Sequence, residues 1–201
     1  MKDITVLDRI LLLATGLLAA YQVVRGIAGK DPLAMVAYTV AFGVLLVAGL
    51  LIIIMGFAIL DTASVAVIAS LIPLSLSLGL VVEHVPDLRI HYLIFTILGL
   101  GAILVTRFMG SEKTGVGVLA FFHGVSGLII FALPIILSLN GITPGRFAFV
   151  GIGGGLIGIG GLLLSFLKTG KAILDRRAIL RLLPGLLLLM TACFVYGFSA
   201  G

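Results

Sequence analysis

Few side chains in this 201-residue sequence could bind a cofactor, since it has three histidines and one cysteine. His123 is the deepest titratable residue, because it lies about two turns into an apolar run that begins near Thr114. An imidazole at that depth can be an axial haem ligand or a hydrogen-bond partner for a quinone. It can equally be a neutral side chain bonded to a carbonyl of a neighbouring helix. Haem held by two histidines needs both at one depth, and His84 and His91 lie toward the other side. We therefore predict no bound cofactor and keep His123 as the candidate cofactor-binding residue.

The turn between the third and fourth apolar runs is the most polar of the outer turns. His91 lies one turn into its run and could come near His84 around the turn at Pro86. Two imidazoles with Glu83 would make a zinc-type or pH-sensing site. An exposed charged turn has the same composition, so a metal site at Glu83, His84 and His91 is one of two interpretations. Cys193 has no second cysteine, which excludes an intrachain disulfide and a multi-cysteine metal site.

Two short motifs suggest enzymes or nucleotide binding, and both fail on their context. Gly153 to Gly158 matches the G-x-G-x-x-G of nucleotide loops, but it lies inside an apolar run with no strand before it. Gly124 to Gly127 resembles the G-x-S-G of rhomboid intramembrane proteases, which need a histidine on a later helix, and none follows His123. All eight acidic residues fall at predicted helix ends, whereas ion-coupled transporters and pumps keep ionisable groups at depth. The chain is therefore predicted not to be an enzyme, and an ion-driven carrier is disfavoured.

These residues must be positioned by membrane helices, because the composition does not suit a water-soluble surface. The chain is 61% hydrophobic and 10% charged, against about 25% charged residues in a soluble domain. Apolar runs that reach the span length of about 20 residues fill the chain. We predict an all-α polytopic integral membrane protein with a single transmembrane helical domain over residues 1–201. The seven predicted helices cover about 7–27, 33–60, 62–82, 88–109, 114–139, 145–167 and 182–198.

The sixth run is the one that we expect to organise the others. Five of its glycines form one side-chain-free stripe at i, i+3, i+4, i+7 and i+10: Gly151, Gly154, Gly155, Gly158 and Gly161. Each would cost a helix in water roughly 0.5–1 kcal/mol against alanine. In a bilayer, small residues at these spacings let a neighbouring helix approach closely. The pattern predicts helix packing by these five glycines and makes the sixth run the expected central packing helix.

The flanking basic residues predict the orientation of seven spans. Nine of the 13 lysines and arginines fall on the side of the N-terminus and four on the other. Positive-inside bias then places the N-terminus in the cytoplasm and the C-terminus outside, in a plasma (inner) membrane. Were the seventh run interfacial, there would be six spans and the C-terminus would lie inside. Topology accounts for the net charge of +5, so no nucleic-acid partner is predicted.

Prolines in the turns suggest an internal repeat. Pro32, Pro86 and Pro144 each precede an even-numbered helix, at similar spacings. The pattern predicts three two-helix hairpins plus a seventh helix, although separate turns that each favour proline would give the same pattern. In architecture alone, these hairpins resemble the HdeD-like acid-stress membrane proteins of bacteria. No residue motif accompanies the resemblance, and no function follows from it.

Three functions fit such a chain. The first is a non-enzymatic scaffold or accessory subunit that packs in the lipid bilayer against other membrane protein subunits or against copies of itself. The second is a transporter or channel for a small neutral or lipid-like solute. Its sparse polar contacts would be Thr39, Ser70, Ser75, Ser77 and Ser126. The third is a haem- or quinone-binding redox subunit that uses His123. We expect the first, because no polar set lies at mid-membrane depth and glycine surfaces suit close helix contact.

Overall fold

The computed structural model describes residues 4–27, 31–168 and 175–199, without the side chains of Glu112 and of 162–168. Within these ranges the chain forms seven α-helices and no strand, which confirms the predicted all-α class. Three short 3₁₀ helices, Phe57–Asp61, Pro86–Leu88 and Gly145–Phe147, lie between them. The α-helices are α1 (Val6–Arg25), α2 (Pro32–Met55), α3 (Ala63–His84), α4 (Arg89–Met109), α5 (Glu112–Leu139), α6 (Ala148–Lys168) and α7 (Arg176–Phe198).

The helices have the length and surface of a multi-pass membrane protein. Six of them, α1 to α5 and α7, are long and apolar enough to cross a membrane. The apolar segment of α6 over which side chains are described, Gly145–Gly161, is shorter. Large apolar side chains such as Val24, Ile54 and Met109 are 77–87% exposed on the outside of the bundle. Such a surface is typical of a protein whose solvent is lipid rather than water.

Hydroxyl and carboxyl side chains begin most of the odd-numbered helices. Thr5 and Asp8 form a capping box at the start of α1, and Ser111 accepts a hydrogen bond from the Thr114 amide at the start of α5. At the start of α3 the cap is the hydroxyl of Thr62, and the neighbouring Asp61 carboxylate binds Arg176 instead. Side-chain acceptors at these positions satisfy amides that have no partner inside the helix.

Two predicted helix boundaries are wrong by several residues. The second helix ends at Met55 rather than near residue 60, because Gly56 adopts φ +73°, a left-handed conformation that terminates a helix. The seventh begins at Arg176 rather than at Leu182, so that Pro184 lies inside α7 instead of near its start. Its first two turns contain three arginines, and a hydropathy pattern marks only the apolar part of a helix. The predicted start was therefore too late in the sequence.

The helices form a closed ring with one helix outside it. Contacts between neighbours run in the order α1, α2, α3, α5, α6, α7 and back to α1, while α4 packs only against α3 and α5 among the long helices. We call the end of the bundle where α1, α3, α5 and α7 begin the basic end, and the other the distal end. Ion pairs connect helices at both ends. Arg176 lies 2.7 Å from Asp61 at the basic end, and Arg89 lies 2.6 Å from Asp31 at the distal end.

The most enclosed helix is α3, and not the glycine-rich α6 that was expected at the centre. Every residue from Ile72 to Val82 is buried, because α2, α4 and α5 surround this part of α3. By contrast α6 lies between α5 and α7 and leaves Phe149, Ile152 and Ile159 at the surface. Serine and glycine alternate with leucine in α3, and these small residues let helices approach it from several sides.

Aromatic rings fill the distal half of the bundle. The aromatic cluster consists of Tyr38, Phe42, Phe147, Phe194 and Phe198. The rings of Tyr38 and Phe198 are 4.9 Å apart at their centroids, and Phe42 meets Phe198 edge to face at 6.0 Å. Such contacts add to the area that large rings bury. The cluster joins α2, α7 and the turn before α6, so these three elements are packed together in the distal half of the ring.

Candidate ligand groove

The basic half of the bundle contains an open groove of about 730 Å³. Its walls are the first half of α3, one face of α5, the described part of α6 and the start of α7. Along α5 the lining runs from Val116 to Phe131, about 22 Å at the helical rise of 1.5 Å per residue. Apolar side chains and glycines form most of the surface. Ligand pockets commonly have volumes of about 300–1,000 Å³, so the groove is large enough for an extended apolar molecule.

The five glycines of the predicted stripe have different surroundings. Gly151 and Gly154 lie against the backbone of α5, at Phe131 and Ile130 respectively, where a Cβ atom would meet those atoms at under 3 Å. Gly155 touches the ring of Phe131. The stripe therefore begins as a helix contact. Gly154 and Gly155 also border the groove, so the change from contact to lining takes place within one turn.

Farther along α6 the same stripe faces the groove. A Cβ atom at Gly158 would have nothing within 4 Å, which makes this position open space. At Gly161 it would lie 3.2 Å from Nε2 of His123. Both glycines line the groove. The bare backbone of α6 thus has two roles, since it packs α5 toward the distal half and forms one wall of the groove toward the basic end.

A second glycine face of α6 was missed by sequence reasoning. Gly153 receives the ring of Phe194, and Gly160 lies close to Leu186, both on α7. These two glycines are seven residues apart and so lie on one side of the helix. The sequence shows this spacing, but only the position of α7 reveals its use.

His123 lies in the wall of the groove, between α5 and α6. Its Nε2 atom is buried, and no described residue makes a hydrogen bond with it. The simpler role considered for His123, an imidazole bonded to a carbonyl, is therefore not seen for Nε2 within the described residues. An imidazole without a partner at such a site can donate to or accept from a bound molecule.

The basic end of the groove carries two arginines and one acid. Arg176 is paired with Asp61 at 2.7 Å. Arg107, from the last turn of α4, extends over Gly115 of α5 into the groove, with its Cδ 3.2 Å from the site of a Cβ on that glycine. The Nε of Arg107 is buried and has no hydrogen-bond partner among the described groups. Sequence reasoning missed Arg107, because a basic residue at a helix end is expected from topology alone.

Of the polar side chains suggested for a solute path, most are already used inside the protein. Ser75 and Ser77 donate to carbonyls of α3, and Thr39 donates to the Met35 carbonyl. Ser126 lies within hydrogen-bond range of Tyr92, whose hydroxyl also donates to Ser77. Only Ser70 lines the groove, and Thr39 lines a smaller cavity of about 380 Å³ between α1 and α2. In an apolar interior, a short hydroxyl side chain finds its nearest acceptor on its own helix.

Prolines place backbone polarity at the groove as well. Pro73 and Pro184 have no amide hydrogen to donate to the carbonyls of Ala69 and Leu180, four residues earlier. Both Ala69 and Leu180 line the groove. The otherwise apolar wall therefore contains carbonyl acceptors at two points.

The outer turn at the distal end holds the residues of the suggested metal site. Glu83 accepts a hydrogen bond from the Tyr38 hydroxyl at 3.0 Å and lies 3.8 Å from His84, whose ring packs on Phe147. His91 is exposed. Within the ranges that the structure covers, no three histidine, cysteine, aspartate or glutamate side chains are grouped to hold a metal ion. A metal site at Glu83, His84 and His91 stays a prediction without geometric support.

Comparison with known proteins adds no family. No family model, no curated protein and no solved structure matches this chain. The architectural resemblance to HdeD-like proteins thus receives no support from these comparisons, and function must be argued from the groove itself.

Proposed function

We propose that this chain is a seven-span membrane protein that binds a lipid-like molecule in the groove of its basic half. This corresponds to the second of the functions considered from the sequence, a carrier or channel for a neutral or lipid-like solute. The observation that carries the proposal is the open space beside Gly158, where bare helix backbone faces a long apolar groove. A close helix contact would have filled that space.

The proposed orientation puts the N-terminus and the basic end in the cytoplasm, with the C-terminus outside a plasma (inner) membrane. Its support is the excess of lysine and arginine on the side of the N-terminus. The groove would then begin on the cytoplasmic side and extend past the middle of the bilayer, because it is longer than half of a hydrocarbon core of about 30 Å. Its α5 wall, about 22 Å long, is comparable with the extended length of a single acyl or isoprenoid chain.

The polarity of the groove favours a lipid-like ligand over a hydrophilic one, and binding that is not coupled to a proton or sodium ion. Among the described residues, Asp61 is the one acid that lines the groove, and its carboxylate is paired with Arg176. No second carboxylate is available there among the described residues for a proton or sodium ion. A hydrophilic solute would also lose its hydration without finding replacement partners along an apolar wall.

The scaffold function loses part of its argument, because the glycines that suggested it are used within the chain. Gly151 and Gly154 contact α5, and Gly153 and Gly160 contact α7, so these positions are not open to another protein. Partner subunits, a homo-oligomer and a non-enzymatic role remain predictions. Mild-detergent purification at native expression levels, followed by mass measurement of the intact complex, tests for a stoichiometric partner.

A variant that fills the groove tests the proposed function. Gly158→Leu should place a side chain in the groove, because a Cβ atom there has nothing within 4 Å, and so it should displace a bound molecule. Gly101→Leu is the matched control, since Gly101 lies on α4, also has nothing within 4 Å and does not line the groove. We expect native mass spectrometry of the purified protein to show about one lipid-like molecule per chain, retained by Gly101→Leu and lost by Gly158→Leu. A wild-type protein without such a molecule, or equal retention by the two variants, contradicts the proposal.

A redox role for His123 is the second candidate, because this histidine lines the groove and its buried Nε2, beside Gly161, has no hydrogen-bond partner among the described residues. Two measurements separate it from simple lipid binding. A Soret absorption band in the purified protein identifies haem, and an organic extract with a quinone chromophore identifies a quinone. If both are negative, the redox function is excluded and the lipid-binding function is left unaffected.

A further inference from the structure

We propose that the ligand of the groove is a single-chain amphiphile with an anionic head group, and that Arg107 is the residue that recognises this charge. The inference rests on the proposed function, because it names the class of molecule that the groove takes. It adds a specificity that groove shape alone does not provide.

The charges at the basic end of the groove are unbalanced. Arg176 and Asp61 neutralise one another at 2.7 Å, whereas Arg107 has no acidic partner among the described residues. With its histidine neutral, the described lining carries two guanidinium groups, Arg107 and Arg176, against one carboxylate, Asp61. One negative charge on the ligand would complete this set.

The position of Arg107 has a structural basis beyond topology. The helix dipole and the positive-inside rule favour a cation in the last turn of α4. They do not account for a side chain that passes over Gly115 of a neighbouring helix and lines a groove. A guanidinium beside an apolar groove, with no carboxylate partner among the described residues, would be stabilised by an anionic head group.

The groove is polar at one end and apolar at the other, as an amphiphile is. Arg107 and the Arg176–Asp61 pair lie at the basic end, while Phe131 and Gly154 lie at the apolar end. A head group at Arg107 would therefore place the chain along α5 and past Gly158. A guanidinium binds carboxylates and phosphates by paired charge-assisted hydrogen bonds. The shared chemistry is thus an oxyanion on a single long chain, supplied by a fatty acid or by a single-chain phospholipid.

Binding of matched probes in lipid nanodiscs tests the inference. The probes are a 16-carbon fatty acid, the alkyl phosphate monoester of the same length, the corresponding alcohol and the corresponding quaternary ammonium. We expect one or both anions to bind roughly tenfold more tightly than the alcohol, and the cation to bind more weakly. Whichever anion binds more tightly identifies the source of the head group.

Variants of Arg107 assign the preference to this residue. In Arg107→Gln the affinity for the anions should fall to that of the alcohol, while the affinity for the alcohol stays the same. Arg107→Lys should restore part of the preference, since it keeps the charge but loses the paired geometry. Arg25→Gln, at the distal end where Arg25 donates to Tyr21, is the control and should change none of the affinities.

The outcomes separate this inference from the proposed function. If the alcohol and the anions bind equally to the wild type, or if Arg107→Gln keeps the preference for anions, the role of Arg107 is wrong while a lipid-binding groove stands. If none of the probes binds, or if Gly158→Leu binds them all as the wild type does, the proposed function itself fails. Unchanged alcohol binding in Arg107→Gln shows that this variant is folded.

Discussion

Glycine has different roles in the distal and basic halves of this bundle. In the distal half a glycine is covered by a ring, since Tyr38 lies directly over Gly79 and Phe194 over Gly153. In the basic half Gly158 faces open space. The distal half consequently contains an aromatic cluster and the smaller cavity of about 380 Å³ between α1 and α2, whereas the basic half contains a groove of about 730 Å³.

This difference shows that a glycine stripe does not by itself determine whether a helix surface is a contact or a cavity wall. The neighbour decides. Where α5 presents its backbone at Ile130 and Phe131, the helices meet, and beside Gly158 they leave room. Small residues make close approach possible in a membrane, but only packing partners make it occur.

The sharpest way to test the comparison is to add one methyl group to each kind of glycine. Gly154→Ala places a Cβ at 2.7–2.8 Å from Ile130 and Phe131, so α5 and α6 must move apart. We expect the free energy of unfolding to fall by about 1–3 kcal/mol, as in other overpacked cores. Gly158→Ala, one turn away in open space, should change it by less than about 0.5 kcal/mol. Unfolding in a denaturing-detergent titration measures both.

Equal effects of these two alanine variants would show that the contact and the groove wall are not distinct. The same titration of Gly101→Ala provides a baseline for alanine in an open position on α4. A loss at Gly158 as large as that at Gly154 would mean that the groove is closed in the membrane.

A smaller effect is expected at Tyr92, which joins the packed helix α3 to the groove helix α5. Its hydroxyl donates to Ser77 at 2.9 Å and lies 3.5 Å from Ser126. Tyr92→Phe should lower the free energy of unfolding by about 0.6 kcal/mol, with an upper bound of about 1.7 kcal/mol, as for other hydrogen bonds between membrane helices. The control is Tyr196→Phe, because Tyr196 is exposed and its hydroxyl makes no described hydrogen bond. If both variants lose the same free energy of unfolding, the hydroxyl of Tyr92 does not stabilise the contact between α3 and α5.

The smallest effect concerns the ion pair at the distal end. The hydrogen bond from the Leu33 amide, together with Arg89, holds the pKa of Asp31 below its ordinary value of 3.8, against the opposing effect of desolvation. A carboxyl whose pKa is lowered in the folded state stabilises the fold above the unfolded-state value, and this contribution is lost as the pH falls through the folded-state value. We expect wild type and Asp31→Asn to differ near neutral pH and to converge below about pH 4. Unfolding midpoints against pH check this, with Asp87→Asn as the control, and a constant difference at all pH values contradicts it.

Sequence patterns were sufficient for the helices and for most of their caps. Long apolar runs separated by short polar turns have few alternatives to helix, and residues such as Thr5, Asp8 and Ser111 cap by local chemistry alone. Helix boundaries were wrong where the signal was not hydropathy, as with the left-handed Gly56 and the arginine-rich start of α7.

The centre of the bundle and the groove were beyond the reach of the sequence. Glycines at helical spacing pointed to α6, but α3 is enclosed because of which helices surround it, and no local pattern encodes that arrangement. His123 was identified by its depth. Its relation to Gly161, and the reach of Arg107 over Gly115, depend on the pairing of α5 with α6 and of α4 with α5.

The contact between α1 and α7 links the earliest and latest helices of this sequence to leave the ribosome. Before α7 is inserted, it cannot cover its contact residues on α1 or the glycine face of α6 at Gly153 and Gly160. These surfaces are then exposed to lipid or to an insertion factor. The described ring of helices therefore closes only once α7 is in place. A nascent chain arrested before Arg176 should be the form that membrane quality-control proteases recognise.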